Sequence, residues 1–248
     1  MRYLVISDIH SNLEALEAVL EDASGQYDEI WCLGDLVGYG PNPNECVDKV
    51  RELPLACVAG NHDWAALGKL SLDDFNPDAQ EASRWTQENL NGITRAYLES
   101  LPETLVIEDK ITLVHGSPRH PIWEYIISIP IALENFSYFE TPWCLVGHSH
   151  VPVIFRYCEA EGGTGNCEAF IPPVNQPILL TPGERFIINP GSVGQPRDGD
   201  PRASYMFIEP EKGIIEYRRV DYPVEKTQAK MKEVGLPPRL IARLSFGW

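Results

Sequence analysis

Short apolar runs alternate with amphipathic stretches along the first quarter of the chain. Apolar runs of strand length predict three strands, at residues 3–6, 29–33 and 55–59. Residues 12–22 and 44–52 lie between these strands and carry apolar side chains at helical spacing, with Ser11 or Asn12 as N-cap of the first helix. This β-α-β-α-β order predicts a parallel sheet covered by helices.

The hydrophobic pattern changes twice after the third predicted strand. Residues 78–101 are predicted to be mainly helical and to end before Pro102. Two apolar runs, 104–108 and 110–114, then follow each other so closely that we expect a hairpin.

The second half of the chain has the pattern of a mostly β structure. Six strand-like runs are predicted, at residues 143–146, 153–157, 167–171, 184–188, 204–208 and 213–220. Turns such as 161–166 and 209–213 separate them, and such close turns indicate antiparallel pairing. The tail, 224–248, is predicted to form a short helix and an apolar ending that packs back on the body.

The chain has 248 residues, which suffices for a large core without a disulfide or metal staple. There is no internal repeat, low-complexity tract or linker in the sequence. We therefore predict a single domain over 1–248, with a half of alternating strands and helices (1–150) and a mostly β half with the tail (151–248).

Charge narrows the choice of partners. Lys and Arg number 20 against 36 Asp and Glu, so the formal net charge is −16. Such a field repels nucleic-acid polymers and anionic membranes, and we expect neither as a partner. A phosphate substrate requires that something reverse the potential locally, and a bound metal ion is the usual means.

The N-terminus and the cysteines indicate a cytoplasmic protein. The first apolar run stops at Ser7 and is too short for a signal peptide, and no run approaches the ~18 residues of a membrane span. Six cysteines show no CxxC spacing. Cys158 and Cys167 either face each other across a hairpin as a disulfide or stay free, as the other four are expected to do. A monomer and a homo-oligomer are both compatible with the sequence.

Side chains that can bind metals follow the apolar runs at five places. These are Asp8-x-His10, Gly34-Asp35, Gly60-Asn-His-Asp63, His115-Gly116 and Gly147-His-Ser-His150. In open α/β sheets, ligands bind at the carboxyl ends of the strands. We therefore expect all five groups to meet at one edge of the sheet.

Seven of these side chains form a candidate ligand set: Asp8, His10, Asp35, Asn61, His115, His148 and His150. One ion takes about four to six donors, so seven fit two ions. An extended backbone would point Asp8 and His10 to one side, and the spacing of His148 and His150 is the same. Asp35 can bridge two cations about 3.5–4 Å apart. Imidazole and carboxylate together suit first-row divalent ions such as Mn, Fe, Ni or Zn.

In this order, the motifs resemble those of the calcineurin-like metallophosphoesterases, which read DxH, GD, GNH[DE], H and GHxH. The match spans residues 4–150, and the segments 34–40 and 189–194 look like the small bacterial branch near the YfcE-type phosphodiesterases. The resemblance implies an α/β (α+β) fold, a four-layer α/β/β/α sandwich of two mixed β-sheets with a dinuclear metal site on top.

The resemblance also implies a role for each residue. One metal is assigned to Asp8, His10, Asp35 and His150, and the other to Asp35, Asn61, His115 and His148. A hydroxide that bridges the metals would attack phosphorus in line. His62 then lies outside the ligand shell as a catalytic residue that contacts the phosphoryl oxygens or protonates the leaving group. Asp63 either orients His62 as a second catalytic residue or caps a helix.

Two departures from related patterns bear on function. Phosphoprotein phosphatases of the superfamily carry GDxVDRG, whereas residues 34–40 lack both the acid and the arginine. The non-catalytic scaffolds of the superfamily lack the histidine of GNH, which is present here as His62. We therefore predict a metal-dependent phosphoesterase for a small phosphate ester, most readily a phosphodiester. The alternatives are a phosphomonoesterase or dinucleoside polyphosphate hydrolase, and a non-catalytic metal-binding scaffold.

Candidate substrate contacts are Asn61, Arg197 and Arg119. Arg197 follows the glycine-rich segment 189–194 and either binds phosphate or pairs with Asp198 or Asp200. Arg119 either lines the mouth of the site or belongs to a solvated loop. Three aromatic residues either stack on a base or belong to the core: Tyr39, Trp123 and Tyr125.

Overall fold

The structure, a computed structural model, describes residues 1–158 and 165–248. The strands of this part of the chain are β1 (Tyr3–Ile6), β2 (Glu29–Cys32), β3 (Leu55–Cys57), β4 (Thr104–Ile107), β5 (Ile111–Val114), β6 (Trp143–Leu145), β7 (Val153–Cys158), β8 (Asn166–Phe170), β9 (Pro177–Leu179), β10 (Arg185–Asn189), β11 (Ala203–Glu209) and β12 (Ile214–Val220). The helices are α1 (Leu13–Asp22), α2 (Pro43–Arg51), α3 (Asn61–Ala66), α4 (Pro77–Asn89), α5 (Gly92–Ser100), α6 (Ile129–Asn135), α7 (Val224–Glu233) and α8 (Pro238–Arg243).

The strands form two mixed six-stranded sheets. The first has the order β3-β2-β1-β11-β12-β9, and the second has the order β4-β5-β6-β10-β7-β8. β1, β2 and β3 are parallel, as predicted, whereas β1 pairs with β11 in antiparallel fashion. In the second sheet, β6 runs parallel to β5 and β10, and the other neighbours are antiparallel. Each sheet therefore combines strands from both halves of the chain.

The two sheets pack face to face, and helices cover their outer faces. Alternation along β1 illustrates the principle, because Tyr3 and Val5 face the other sheet while Leu4 and Ile6 face the helices. The core between the sheets includes Trp31, Met206 and Leu113 from β2, β11 and β5, together with Phe186 from β10. α1 and α2 cover the first sheet, and α6 covers the second. The predicted four-layer α/β/β/α sandwich is confirmed.

Several predicted elements differ in detail from the observed ones. The helical stretch 78–101 is two helices, because Asn91 caps α5 by accepting a hydrogen bond from the Thr94 N–H at 2.8 Å. The strand predicted at 55–59 ends at Cys57, and α3, α6 and β9 were not predicted from the hydrophobic pattern. β9 is a three-residue edge strand that begins with Pro177, and such a strand has a weak sequence signal. In the predicted turn 161–166, residues 161–164 lie outside the described residues.

The tail packs back on the body as predicted, but as two helices. Met231 of α7 and Leu240 of α8 are buried in an apolar cluster with Tyr39 and Phe75. The hydroxyl of Thr227 in α7 hydrogen-bonds Asn12, the residue that caps α1, at 3.0 Å. The tail therefore contacts the segments on both sides of the candidate site described below.

The cysteines in this structure are free thiols. Cys167 lies opposite Tyr157, and Cys158 lies opposite Asn166, so the two cysteines are offset across the β7–β8 pair. The Cys158 thiol instead donates a hydrogen bond to Glu184 at 3.2 Å. Among residues 1–158 and 165–248, none of the helices has the length and apolar character needed to cross a membrane.

Candidate metal centre

The seven predicted ligand side chains meet at one edge of the sandwich. Each follows a strand: Asp8 and His10 follow β1, Asp35 follows β2, Asn61 begins α3 after β3, His115 follows β5, and His148 and His150 follow β6. All seven side chains are buried, with at most 2% of any residue exposed. Burial of two carboxylates and four imidazoles in one place is unfavourable unless they are paired or bind cations.

One group of donors surrounds the side chain of His10. Its Nε2 lies 3.1 Å from His150 Nε2 and 3.6 Å from Asp35 Oδ2. The His150 Nε2 atom lies 3.3 Å from Asp8 Oδ1. Asp8, His10 and His150 offer one ligand atom each, and these atoms lie within 4.8 Å of one another. Such a cluster has the size and donor types of a site for a first-row divalent ion.

A second group of donors surrounds His115. Its Nε2 lies 3.3 Å from Asp35 Oδ2 and 3.1 Å from Asn61 Oδ1. Asp35, His115 and His148 also offer ligand atoms within 4.8 Å of one another. Asp35 Oδ2 lies between the two groups, is buried, and accepts no hydrogen bond. An unpaired buried carboxylate oxygen between two donor groups is the atom that would bridge two cations.

A backbone carbonyl group holds one ring nitrogen of each of the four histidines. Nδ1 contacts a carbonyl oxygen in three of them, in the pairs His10–Val37 (3.2 Å), His115–Leu33 (2.7 Å) and His150–Gln195 (2.6 Å). In His148 it is Nε2 that lies 3.0 Å from the oxygen of Trp123. Since the carbonyl group takes the N–H, the other nitrogen keeps its lone pair for a metal ion. The donor set therefore fits divalent metal ions.

His62 differs from these four histidines. Its Nδ1 is buried and has no hydrogen-bond partner, while its backbone N–H donates to Asp35 Oδ1 at 2.8 Å. Its ring packs against Tyr39, 4.3 Å between centroids, and against Phe75 and His10. A ligand atom of His62 also lies within 4.8 Å of those of His10 and Asp35. His62 therefore borders the donor cluster but lacks the carbonyl partner that the four others share.

The carboxylate of Asp63 binds backbone N–H groups. It accepts hydrogen bonds from the N–H groups of Asp35 and Gly60, both at 2.9 Å, and from that of Val37 at 3.2 Å. The contact to Gly60 closes the capping box at the start of α3. These contacts are those of a helix cap, and a second role of Asp63 in orienting His62 stays a prediction.

The backbone at the candidate ligands is not extended. The expectation that an extended backbone points Asp8 and His10 to one side is therefore wrong. Five of these residues have left-handed φ angles of 50–64°: Asp8, His10, Asp35, His148 and His150. Such angles are uncommon for residues other than glycine and cost of order 1–3 kcal/mol each. Hydrogen bonds from Asp8 N to Gly34 O (3.1 Å) and from His10 N to Asp35 O (2.9 Å) hold the first two turns in place. Strained turns, and not alternation along a strand, bring these side chains together.

Two glycines permit the close approach of the loops. A Cβ atom on Gly60 would lie 2.1 Å from Asp35 Oδ1, and one on Gly147 would lie 2.1 Å from Ser7 Oγ and 3.0 Å from Asp8 Oδ2. The two distances of 2.1 Å are shorter than any ordinary contact. These positions therefore require glycine because the candidate ligands pass against their backbone.

Burial and neighbouring charges shift the pKa values of the cluster. Burial lowers the pKa values of His10, His148 and His150 well below the usual range, so their imidazoles are neutral. Burial opposes the ionisation of Asp35, but the charge of His115 outweighs it and lowers the pKa of Asp35. Burial opposes the protonation of His115 in turn, but the Asp35 carboxylate outweighs it and raises the pKa of His115 to about 9. His115 must therefore release a proton when a metal ion binds, since a ligand imidazole is neutral. Burial also lowers the pKa of His62 to about 4.

Arg197 lies beside the cluster and makes neither of the ion pairs considered above. Asp198 pairs with Arg219, and Asp200 pairs with Arg202 at 2.6 Å. The Nη2 atom of Arg197 donates to Gln195 Oε1 at 3.0 Å and contacts the Tyr39 hydroxyl at 3.5 Å. Its guanidinium group therefore remains a candidate to bind an anion.

Arg119 is placed differently from Arg197, and its role as a substrate contact stays a prediction. Its guanidinium group forms ion pairs with Glu124 and Glu134. Burial raises the pKa of Glu124, but hydrogen bonds from Arg119, Ser117 and Asn135 outweigh burial and lower it to about 2. Because two carboxylates neutralise Arg119, this residue stabilises its own loop.

The three aromatic candidates have different positions. Tyr39 is buried between the rings of His10 and His62. Tyr125 stacks on the ring of His148, with centroids 3.7 Å apart, and 41% of the residue is exposed. Trp123 is 37% exposed and supplies the carbonyl oxygen that holds His148. Tyr39 thus belongs to the core, whereas Trp123 and Tyr125 form one wall of the site.

Sequence reasoning missed the residues that hold the histidines. Leu33, Val37, Trp123 and Gln195 act through their backbone carbonyl oxygens, which every residue type possesses. Their only signal is position, since Leu33 and Val37 flank Gly34-Asp35 in the chain.

Comparisons with known proteins agree with this geometry. Residues 1–213 match the calcineurin-like phosphoesterase superfamily domain. The chain is 53% identical to a metallophosphoesterase from Sphaerobacter thermophilus whose crystal structure is known. The two align with a TM-score of 0.88 over 100% of this chain and 99% of the other.

Two curated relatives differ in how much of the chain they share. The uncharacterized protein MJ0912 of Methanocaldococcus jannaschii is 43% identical over 98% of this chain and 97% of its own length. A symmetrical bis(5'-nucleosyl)-tetraphosphatase of Erwinia tasmaniensis is 30% identical over 50% of this chain and 47% of its own length. The second likeness spans only about half of each protein.

Proposed function

The chain belongs to the calcineurin-like phosphoesterase superfamily and is a hydrolase that acts on phosphate esters, and we propose that it hydrolyses a small phosphodiester with two divalent metal ions. One observation carries the proposal: Asp35 Oδ2 lies unpaired between two groups of imidazole donors, at 3.6 Å from His10 Nε2 and 3.3 Å from His115 Nε2. A single ion bound in one donor group would leave the other donor group without a cation.

The proposed ligands follow from the two groups. Asp8, His10, Asp35 and His150 would hold one ion, and Asp35, Asn61, His115 and His148 would hold the other. When bound, two such ions would neutralise the phosphoryl charge and lower the pKa of the water that attacks phosphorus. Mn, Fe, Ni and Zn all suit imidazole and carboxylate donors.

The remaining polar groups have roles toward the substrate. His62 borders both donor groups, and its ring is available either to hydrogen-bond a phosphoryl oxygen or to protonate the leaving oxygen. Asn61 adjoins it in the chain, and Arg197 lies on the side of His150, whose carbonyl oxygen accepts from the Arg197 N–H at 3.4 Å. The oxygen of water bonds to phosphorus and water gives up one proton, the P–O bond to the leaving group breaks, and the leaving alkoxide takes up a proton to become an alcohol.

A diester is proposed because residues 34–40 lack the acid and the arginine with which phosphoprotein phosphatases hold a dianion. A doubly substituted phosphorus carries one negative charge and needs no such clamp. The phosphoanhydride of a nucleoside oligophosphate is doubly substituted as well. We retain it as a second candidate, because the tetraphosphatase of Erwinia tasmaniensis resembles half of this chain.

Turnover of a chromogenic diester tests the proposal. Metal-depleted protein is reloaded separately with Mn²⁺, Ni²⁺, Fe²⁺ or Zn²⁺ and assayed on bis-p-nitrophenyl phosphate, p-nitrophenyl phosphate and a dinucleoside tetraphosphate. We expect metal-dependent hydrolysis of the diester. Activity on the monoester alone would overturn the substrate class, and inactivity on all three would favour the non-catalytic scaffold.

A further inference from the structure

Two arginines share one acceptor at the rim of the metal centre. The side-chain oxygen of Gln195 accepts hydrogen bonds from Arg197 Nη2 at 3.0 Å and from Arg243 Nη1 at 3.3 Å. Gln195 is 1% exposed, so the shared oxygen is a fixed point. Its backbone oxygen accepts from His150, at 2.6 Å from Nδ1. One residue therefore joins the two guanidinium groups to a proposed metal ligand.

The two guanidinium groups lack acidic side-chain partners. Within residues 1–158 and 165–248, neither Arg197 nor Arg243 forms an ion pair with an Asp or Glu. Arg197 Nε is also buried without a hydrogen-bond partner. Two like charges on one neutral oxygen repel each other, and an anion between them would relieve this.

The tail of the chain holds Arg243 in this position. Leu240 and Leu244 on either side of it are buried in the cluster that contains Tyr39. Gly199 N donates to Gly247 O at 2.8 Å, which ties the tail to the loop that carries Arg197. Arg243 Nε also donates to the oxygen of Trp248. Arg243 lies beyond residues 1–213, the part of the chain that matches the superfamily domain.

We propose that Arg197 and Arg243 form a second anion subsite, which binds a phosphoryl group of the substrate next to the one that is cleaved. The planar guanidinium group presents paired N–H donors that match phosphate oxygens. The inference rests on the proposed function, and it narrows the substrate to a phosphodiester or phosphoanhydride that carries a second phosphoryl group.

A cavity adjoins the subsite. It opens beside Arg243, has a volume of about 430 Å³, and is also lined by Asn76, Asp78 and Arg239. The cavity has room for the part of the substrate that extends beyond the second phosphoryl group.

Calorimetry on the metal-loaded protein tests the subsite without turnover. The probes are inorganic phosphate, with one phosphoryl group, and methylenediphosphonate, a diphosphate analogue that cannot be hydrolysed. We expect Arg243→Met to weaken binding of methylenediphosphonate about 10- to 100-fold, as expected for a lost charged hydrogen bond, and that of phosphate less than about 2-fold. Arg243→Lys should fall between this variant and the unaltered protein.

Arg84→Met is the control, because Arg84 is an exposed arginine of α4 that contacts Gln80 and does not line the cavity beside Arg243. It should bind both probes like the unaltered protein. Equal weakening of both probes by Arg243→Met, or no weakening of either, would overturn the second subsite. Thermal unfolding identifies a folding defect, and Arg243→Lys then decides the question.

The two proposals can fail separately. Hydrolysis of bis-p-nitrophenyl phosphate with no selective effect of Arg243→Met would remove only the second subsite. A selective effect on methylenediphosphonate in a protein that does not hydrolyse the diester would remove the proposed function and keep the subsite.

Discussion

At the scale of single residues, Asp35 and His62 have different proposed roles. Asp35 would bind the metal ions, and His62 would contact the substrate. Asp35 lies between two donor groups, and each surrounding imidazole is held by a carbonyl oxygen. His62 borders the same groups, but its Nδ1 has no such partner in the structure. The two residues should therefore respond differently to substitution.

We expect Asp35→Asn to impair the binding of both ions. The seven proposed ligands contain only two carboxylates, and removal of the shared negative charge affects each cation. Metal content after dialysis and calorimetric titration with Mn²⁺ measure the effect. Binding of two equivalents with unaltered affinity would exclude Asp35 as the bridge.

His62→Ala should keep its metal content and lose kcat by about 10²–10⁴, the usual contribution of a general acid or a transition-state contact. A smaller loss for substrates with good leaving groups would identify His62 as the acid. A uniform loss would identify it as a phosphoryl contact. Protein purified without metal would instead make His62 a ligand.

At the scale of elements, the short segments that follow the strands position the side chains of the site. The helix α3, which follows β3, is one of these segments. Asp63 connects the start of this helix to the loop of Asp35 through three backbone N–H groups. The carboxylate thus stabilises the positions of both Asp35 and His62 through backbone contacts.

Asp63→Ala should lower the free energy of unfolding by about 3 kcal/mol, since a cap is lost and buried N–H groups are left unpaired. Activity should fall equally for good and poor leaving groups, because Asp63 does not act on the proton of His62. Urea unfolding and rates on a leaving-group series measure the two effects.

Asn91→Ala is the control for this experiment. It removes the cap of α5, which carries none of the proposed ligands, and should cost about 1 kcal/mol with unaltered kcat. A loss for Asp63→Ala that grows with poorer leaving groups would support orientation of His62 instead.

The elements also explain which features the sequence could predict. Parallel strands of one sheet end at the same edge, so the motifs after β1, β2 and β3 could be brought together from their order alone, whereas β5 and β6 belong to the second sheet. The left-handed turns at Asp8 and His10 could not, because hydrogen bonds to the distant Gly34–Asp35 loop stabilise them. The ion pair of Arg119 with Glu134 could not be predicted either, because Glu134 lies on α6, which the hydrophobic pattern did not predict.

At the scale of the whole molecule, the protein has a formal net charge of −16, although the proposed substrate is an anion. Positively charged groups at the site must therefore outweigh the negative potential of the whole protein. Two proposed metal ions and the pair of Arg197 and Arg243 supply positive charge at the same rim. Salt at ~0.15 M screens the rest of the molecule beyond about 8 Å, so these groups decide which phosphate ester binds.

This balance predicts the preference between ester classes. Residues 34–40 lack the acid and arginine that hold a dianion, and the protein repels a dianion more strongly than a monoanion. We therefore expect a higher kcat/KM for bis-p-nitrophenyl phosphate than for p-nitrophenyl phosphate at neutral pH, and no useful activity on folded phosphoproteins.

Arg197 is the residue that can reverse this preference. Its guanidinium group is free of carboxylates in the described part of the chain, so it can contact the cleaved phosphoryl group as well as a neighbouring one. A preference for the monoester that disappears in Arg197→Ala would assign it to the cleaved phosphoryl group and refute the expected order. Arg119→Ala is the matched control, because Glu124 and Glu134 already neutralise Arg119 and its loss should leave the ratio of the two kcat/KM values unchanged.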